Sequence, residues 1–206
     1  MENPQALAHA TAALPGTWIS EVVLQTGRFD ALKAWYATVL GRPWYFENTP
    51  KGAALAELPP GEKQVRAADV RACFMRMEPG FPYGATFALF ELPGIAAAPT
   101  RDPGLNHMQF KCAQLDTLMR RVELLRDAGI HPQRCANHGP VLSFYFKDPD
   151  QNVVEFCCNN FATAEEMAAF TRSERFQANP SGLELDRDAF LARYRAGEPH
   201  ETLLAI

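Results

Sequence analysis

The segment from His138 to Glu155, HGPVLSFYFKDPDQNVVE, places an imidazole, a phenol and a carboxylate around two short apolar runs separated by a tight turn. Glu155 lies inside the apolar run NVVEFCC (152–158). An unpaired buried carboxylate is costly, so such a group tends to be protonated, paired or metal-bound. Strand alternation puts Val153, Glu155 and Cys157 on one face, with Val154, Phe156 and Cys158 behind. In VLSFYF (141–146), Val141, Ser143 and Tyr145 point one way and Leu142, Phe144 and Phe146 the other. His138 precedes that strand, within reach of the same space. Two more groups join them by the same parity: His107, which shares a face with Gln109 and Lys111, and Glu21, which shares one with Val23 and Gln25. Glu21, His107, His138, Tyr145 and Glu155 form one candidate constellation.

Two segments repeat the elements that would position these groups. WISEVVLQTGRFDALKAWYATVLGRP is a β-branched run followed by a helical pattern with Phe29, Leu32, Trp35, Tyr36, Val39 and Leu40 on one side, stopped by Gly41. LNHMQFKCAQLDTLMRRVELLRDAGIHP repeats the plan with Leu115, Leu118, Val122 and Leu125, stopped by Gly129. Glu21 and His107 hold equivalent places, 86 positions apart. Apolar runs suited to strands follow each helix: RACFMRM and ATFALFEL in the first copy, VLSFYF and NVVEFCC in the second. Each copy therefore predicts a strand, a helix and two or three antiparallel strands. The all-apolar strand faces belong under the helices, and the polar faces toward the space between the two sheets. From about Ala162 the pattern is helical, with Asn179-Pro-Ser-Gly as a turn and Asp186 as a cap. This tail is expected to brace the sheet or a partner subunit.

The bulk numbers fit that plan. The chain has 206 residues, 47% hydrophobic, with a formal net charge of −4. Neither nucleic acid nor an anionic membrane is favoured by that charge. There is no apolar run of membrane-spanning length, and residues 1–16 read as a loose arm rather than a secretory signal. Five cysteines without a CxxC pair read as reduced thiols of a cytoplasmic protein.

The repeated βαβββ plan and the HGPVLSFYFKDPDQNVVE segment resemble the vicinal oxygen chelate superfamily of glyoxalases, bleomycin-resistance proteins and extradiol dioxygenases. Within it, the chain is most similar to the one-domain type I extradiol dioxygenases. The likeness includes EVVLQTGRF, WYATVL, LPG at 92–94, GLNHMQF at 104–110 and the NPSG turn before an acidic helix. It implies an α+β fold of two tandem βαβββ modules (17–100 and 101–161) forming a half-open barrel, with a C-terminal helical extension (162–206). It implies His107 and Glu155 as metal ligands, His138 as an acid/base group and partner for the bound oxygen species, and Tyr145 as a hydrogen-bond partner of the substrate oxygen or of the ligand set. Gln109, Lys111 and Cys157 then line the substrate pocket, with Phe74, Met75, Phe87 and Phe144 as apolar lining for an aromatic ring. The implied metal is Fe(II), with Mn(II), Zn(II), Ni(II) or Co(II) as alternatives. The implied partners are a small aromatic diol and dioxygen, and a homodimer is common in the superfamily.

Three positions depart from the family pattern. Glu21 stands where the first His ligand is usual, giving a Glu-His-Glu set with one more negative charge. Gly84-Ala85-Thr86 replaces a frequent His pair. Gln151 occupies a turn position usually held by Gly, at a cost of about 1 kcal/mol if positive φ is required. The carboxylate-rich set keeps two other readings open: a non-redox isomerase or lyase acting on an enediolate, and a metal-free binding protein of the bleomycin-resistance type.

Overall fold

The structure, a computed structural model, describes residues 19–50, 67–78, 84–92, 94–95 and 105–205. The N-terminal arm, and Pro93 and Gly104 of the LPG and GLNHMQF motifs, lie outside the described residues. The first copy supplies β1 (Glu21–Thr26), α1 (Phe29–Leu40), β2 (Trp44–Asn48), β3 (Ala72–Glu78) and β4 (Ala85–Glu91). The second supplies β5 (His107–Lys111), α2 (Leu115–Asp127), β6 (Arg134–Asn137), β7 (Val141–Lys147) and β8 (Val153–Asn159). The tail holds α3 (Ala164–Thr171), α4 (Glu174–Ala178), β9 (Leu183–Glu184), α5 (Arg187–Arg195) and α6 (His200–Leu204). The result is a mixed α+β fold with one four-stranded sheet, ordered β1-β4-β3-β2, and one five-stranded sheet, ordered β5-β8-β7-β6-β9. Apart from β9, the two copies have the same strand order, as the repeat predicts.

By contact the chain divides into two units, Met1–Gln25 with Arg42–Pro93, and Thr26–Gly41 with Gly94–Ile206. In the first unit, Val70, Ala72, Ala88, Phe90 and Leu92 form a buried cluster with Phe74 against it. Met75 pairs with Phe87 across β3 and β4, and both are buried. Phe74 and Met75 are strand neighbours and so point to opposite faces, which rules out both lining one pocket.

The second unit contains α1, although α1 belongs to the first copy in sequence. Its apolar stripe is buried at Phe29, Leu32, Tyr36, Val39 and Leu40, while Trp35 is only half-buried. Burying each large apolar side chain contributes about 1.5–3 kcal/mol. Gly41 ends the helix in the left-handed region at φ 64°. Helix α2 buries Leu115, Leu118, Met119, Val122 and Leu125, and its Arg121 donates to the Val39 carbonyl at the end of α1. Cations at a helix C-terminus are favoured by the exposed carbonyls and the dipole.

The turn between β7 and β8 explains why α1 docks here. Tyr36 Oη donates to Asp148 Oδ2 at 2.9 Å, Thr26 Oγ1 to Asp150 Oδ2 at 2.5 Å, and Arg28 Nε to Asp150 Oδ1 at 2.6 Å. Asp148 also accepts from the backbone and side-chain amides of Asn152, each at 2.8 Å. Within this turn Gln151 sits at φ 69°, the one non-glycine among the described residues in the left-handed region. Gln151→Gly is therefore expected to stabilise the protein by about 0.5–1 kcal/mol. A raised denaturant midpoint at unchanged slope would record that gain.

The tail departs from a purely helical reading. Thr163 and Glu166 form a reciprocal capping box at the start of α3, and Asp186 caps α5 as expected. The helical stretch after Ala162 is two helices rather than one run: it breaks at Ser173, whose side chain caps α4. Between α4 and α5 the chain adds β9 to the edge of the second sheet, pairing Ala136 with Glu184 and Asn137 with Leu183. Short edge additions of this kind carry no hydrophobic alternation, so pattern alone does not announce them.

Candidate functional site

The site is built on one face of the second sheet. β5 runs parallel to β8 with Gln109 opposite Glu155. β8 runs antiparallel to β7 with Glu155 opposite Tyr145, and β7 antiparallel to β6 with Tyr145 opposite Arg134. Gln109, Glu155, Tyr145 and Arg134 thus form one row across four strands, with His107 one step along β5. The opposite face carries Phe156, Phe144 and Phe146, all buried. Phe144 packs on Phe190 of α5 at 6.1 Å between ring centroids. That placement corrects its expected role as pocket lining: its parity puts it behind Tyr145.

Glu155 is 1% exposed and lies against Ser143, Gln109 and His107. Oε1 accepts from Ser143 Oγ at 2.5 Å and from Gln109 Nε2 at 2.9 Å. Oε2 faces His107 Nε2 at 3.2 Å. On the other side of the imidazole, His107 Nδ1 is 2.6 Å from Asn106 Oδ1. An amide oxygen only accepts, so Nδ1 carries the proton and the neutral ring turns the Nε2 lone pair toward the carboxylate. Two lone-pair centres at that distance need a shared cation, either a second imidazole proton or a metal. Imidazole nitrogen and carboxylate oxygen ligands about 2.1 Å from a first-row metal stand about 3 Å apart when adjacent. The pair therefore fits two neighbouring ligand positions. The His107 side chain is 39% exposed, which leaves the outer side of this edge open to solvent.

His138 and Tyr145 form the second half of the site. His138 Nε2 is 2.6 Å from Tyr145 Oη, and His138 Nδ1 is 2.7 Å from the Ser181 carbonyl. The Arg134 guanidinium lies over the Tyr145 ring at 4.6 Å and pairs with Glu184. Burial, and next the Glu155 carboxylate, push the Tyr145 hydroxyl up to about 12, with Arg134 opposing. Tyr145 is thus a neutral donor across the working pH range.

The remaining sequence candidates are placed as follows. Lys111 Nζ donates to Asn159 Oδ1 at 2.7 Å. Cys157 is fully buried opposite Ser143, and burial pushes its thiol up to about 11, so it is not a nucleophile. Glu21 is exposed at the first position of β1, the place that His107 holds in β5. It belongs to the first contact unit, whereas His107 and Glu155 belong to the second. Among the described residues no group of three or more His, Cys, Asp or Glu side chains is gathered closely enough to hold a metal. His131 lies in the loop before β6, and His200 pairs with Asp116 at 3.1 Å.

Sequence reasoning did not single out Ser143, Asn106, Arg134 or the Ser181 carbonyl. Ser143 carried a usable signal, since its parity matches Tyr145. Arg134 sits on β6, whose four residues RCAN show no clear strand pattern. Asn106 and Ser181 act through hydrogen bonds that no residue-type pattern encodes.

A model of the Glyoxalase/Bleomycin resistance protein/Dioxygenase superfamily matches residues 18–156. The chain is 32% identical over 188 residues to biphenyl-2,3-diol 1,2-dioxygenase 3 of Rhodococcus globerulus, covering 90% of this chain and 86% of the relative. It is 31% identical over 180 residues to biphenyl-2,3-diol 1,2-dioxygenase 2 of the same organism, covering 87% and 83%. Among solved structures it is similar to a mutant of the fosfomycin resistance protein FosX from Listeria monocytogenes, with TM-score 0.50 and 14% identity, covering 75% of this chain and 99% of that one. The last likeness concerns the fold alone. With the repeated strand order and matched family model together, the chain belongs to the Glyoxalase/Bleomycin resistance protein/Dioxygenase superfamily.

Proposed function

We propose that the protein is a non-haem, metal-dependent dioxygenase that opens a catechol-type aromatic diol at the bond beside its hydroxyls. His107 and Glu155 would hold the cation, with Fe(II) as the metal, and Glu21 is proposed as the third ligand from its equivalent place in the repeat. When bound, the metal supplies a Lewis-acidic centre for the two diol oxygens and a redox partner for dioxygen. The remaining work falls to the chain. His138, through Nε2, takes up a proton that the diol loses on binding. Tyr145, kept neutral by burial, donates to His138 Nε2 at rest and turns its proton to a substrate oxygen once Nε2 has taken up the diol proton. Ser143 and Gln109 hold Glu155 Oε1 so that Oε2 points outward, and Asn106 fixes the imidazole of His107 with Nε2 free to ligate. The relatives named for biphenyl-2,3-diol supply the substrate class.

The observation that carries this reading is His107 Nε2 facing Glu155 Oε2 at 3.2 Å on a solvent-open edge. The test is anaerobic purification, metal analysis and an oxygen-electrode screen with catechol and 2,3-dihydroxybiphenyl. Stoichiometric iron and oxygen uptake are expected. Glu21→His should then raise kcat/KM by about 10-fold, because removing one negative charge from the ligand set lowers the pKa of the bound diol by about one unit. Nickel, cobalt or zinc without oxygen uptake would instead indicate an isomerase or lyase. A chain that comes out empty would indicate a binding protein.

A further inference from the structure

The superfamily model stops at residue 156, yet residues beyond it reach the candidate acid–base pair by three separate routes. The first is a hydrogen bond. The Ser181 carbonyl lies 2.7 Å from His138 Nδ1, and a carbonyl can only accept. His138 must then carry its proton on Nδ1, which leaves the Nε2 lone pair to accept from Tyr145 Oη at 2.6 Å. The second is steric. Gly182, at φ 72°, is so close to the strand end that a Cβ there would overlap the Asn137 carbonyl oxygen and lie 2.5 Å from His138 Cα. The third is the β9 ladder on β6, closed by the Leu185 N–H donating to the Cys135 carbonyl at 2.9 Å. It carries Glu184 to Arg134, the guanidinium that lies over the Tyr145 ring.

The turn that delivers Ser181 is itself held. Asn179 Nδ2 donates to the Gly182 carbonyl at 2.7 Å, and the Gly182 N–H donates to the Asn179 carbonyl at 3.1 Å. Asn137, next to His138, is also fixed: its amide nitrogen donates to the Leu204 carbonyl at 3.0 Å, and its oxygen accepts from Gly139 N and Asn160 Nδ2. Both sides of the His138–Ser181 contact are therefore anchored before any substrate arrives.

We infer that the C-terminal tail is a positioning element: the Asn179–Gly182 turn, through the Ser181 carbonyl, selects the Nδ1–H tautomer of His138 and directs Nε2 toward Tyr145. The tautomer assignment stands on geometry alone, and its catalytic consequence rests on the ring-cleaving reading above. Without the carbonyl, the ring is free to place its proton on Nε2, where it can no longer accept one.

The full chain labelled with 15N-histidine tests this by two-bond proton–nitrogen correlation at mildly alkaline pH, with His138→Gln identifying the signal. Wild type should show a protonated Nδ1 and an unprotonated Nε2 at His138. Gly182→Ala and the milder Asn179→Ala should mix or reverse that signature. They should also lower kcat on a catechol by about 10- to 100-fold, within the range of acid–base contributions, while KM stays within about 2-fold. Thr163→Ala, which removes the α3 cap in the same tail, should leave both readouts unchanged. A protonated Nε2 in wild type overturns the inference. So does either tail variant, folded, with signature and kcat unaltered. If wild type shows the Nδ1–H signature but consumes no oxygen with any catechol, the ring-cleaving reading falls while the tautomer assignment holds.

Discussion

Glu155→Gln is expected to purify as a folded protein that holds its metal at least about 100-fold more weakly, with ring cleavage reduced by at least the same factor. Loss of an outer partner of a metal ligand typically costs about 10–100-fold in affinity, and loss of the ligand itself costs no less. The fold should survive because the amide satisfies the same neighbours. Its oxygen can accept from Ser143 and Gln109, which now share Oε1. Its NH2 can donate to the His107 Nε2 lone pair that Oε2 now faces. The stability change should therefore stay within about 1–2 kcal/mol. Ser143→Ala provides the graded comparison. It leaves the carboxylate in place and removes one of its tethers, so its affinity loss should fall in the 10–100-fold range for an outer partner. Metal titration of the apoprotein followed by oxygen uptake measures both. Retention of metal and activity by Glu155→Gln would make Glu155 a purely structural carboxylate.

Asp148→Ala should destabilise the protein by about 3 kcal/mol, the largest stability effect expected from a single polar side chain here. Asp148 is 1% exposed and Tyr36 fully buried, so truncation removes the buried carboxylate that accepts from Tyr36 Oη. It also removes both bonds that Asn152 makes to the carboxylate. Burial pushes the Asp148 carboxyl up, and pushes the Tyr36 hydroxyl far up, with Asp148 adding to it. The phenol is therefore the donor and the carboxylate the acceptor throughout the neutral range. Tyr36→Phe removes only the donor and should cost about 1–2 kcal/mol. The double variant should fall short of the summed losses by about 1 kcal/mol, since both single changes break one bond. Urea denaturation of the four proteins closes that cycle. Strict additivity would mean that this bond contributes nothing to holding α1.

Much of this architecture was legible from local pattern. The apolar stripes at Leu32, Tyr36 and Val39, and at Leu115, Leu118 and Val122, gave both helices, and Gly41 and Gly129 marked where they stop. Alternation along 141–146 and 153–158 put Ser143, Tyr145, Glu155 and Cys157 on one face, where the strand pairing has them. Parity failed for the pocket lining: Phe144 was assigned to it although Ser143 and Tyr145 already occupied that side, and the strand neighbours Phe74 and Met75 were both assigned to it. The family resemblance, rather than pattern, singled out His107 and Glu155 as a pair, and the two are in contact. The resemblance marked Gln151 as standing where Gly is usual, and its backbone does take a positive φ of 69°.

The amino-acid order by itself determined which residues share a face and where each helix ends, because side-chain alternation and helix stops follow from backbone dihedrals a few residues long. Only the tertiary structure decided which faces meet. The parallel register of β5 on β8 sets Gln109 against Glu155 across 46 positions, and Thr26 reaches Asp150 across 124. The β9 strand brings Ser181 to His138 across 43. Contacts at such separations must offset the entropy of closing long loops. They form where a buried carboxylate, a phenol or a strand edge needs a partner, and the need is visible in the chain while the partner is not.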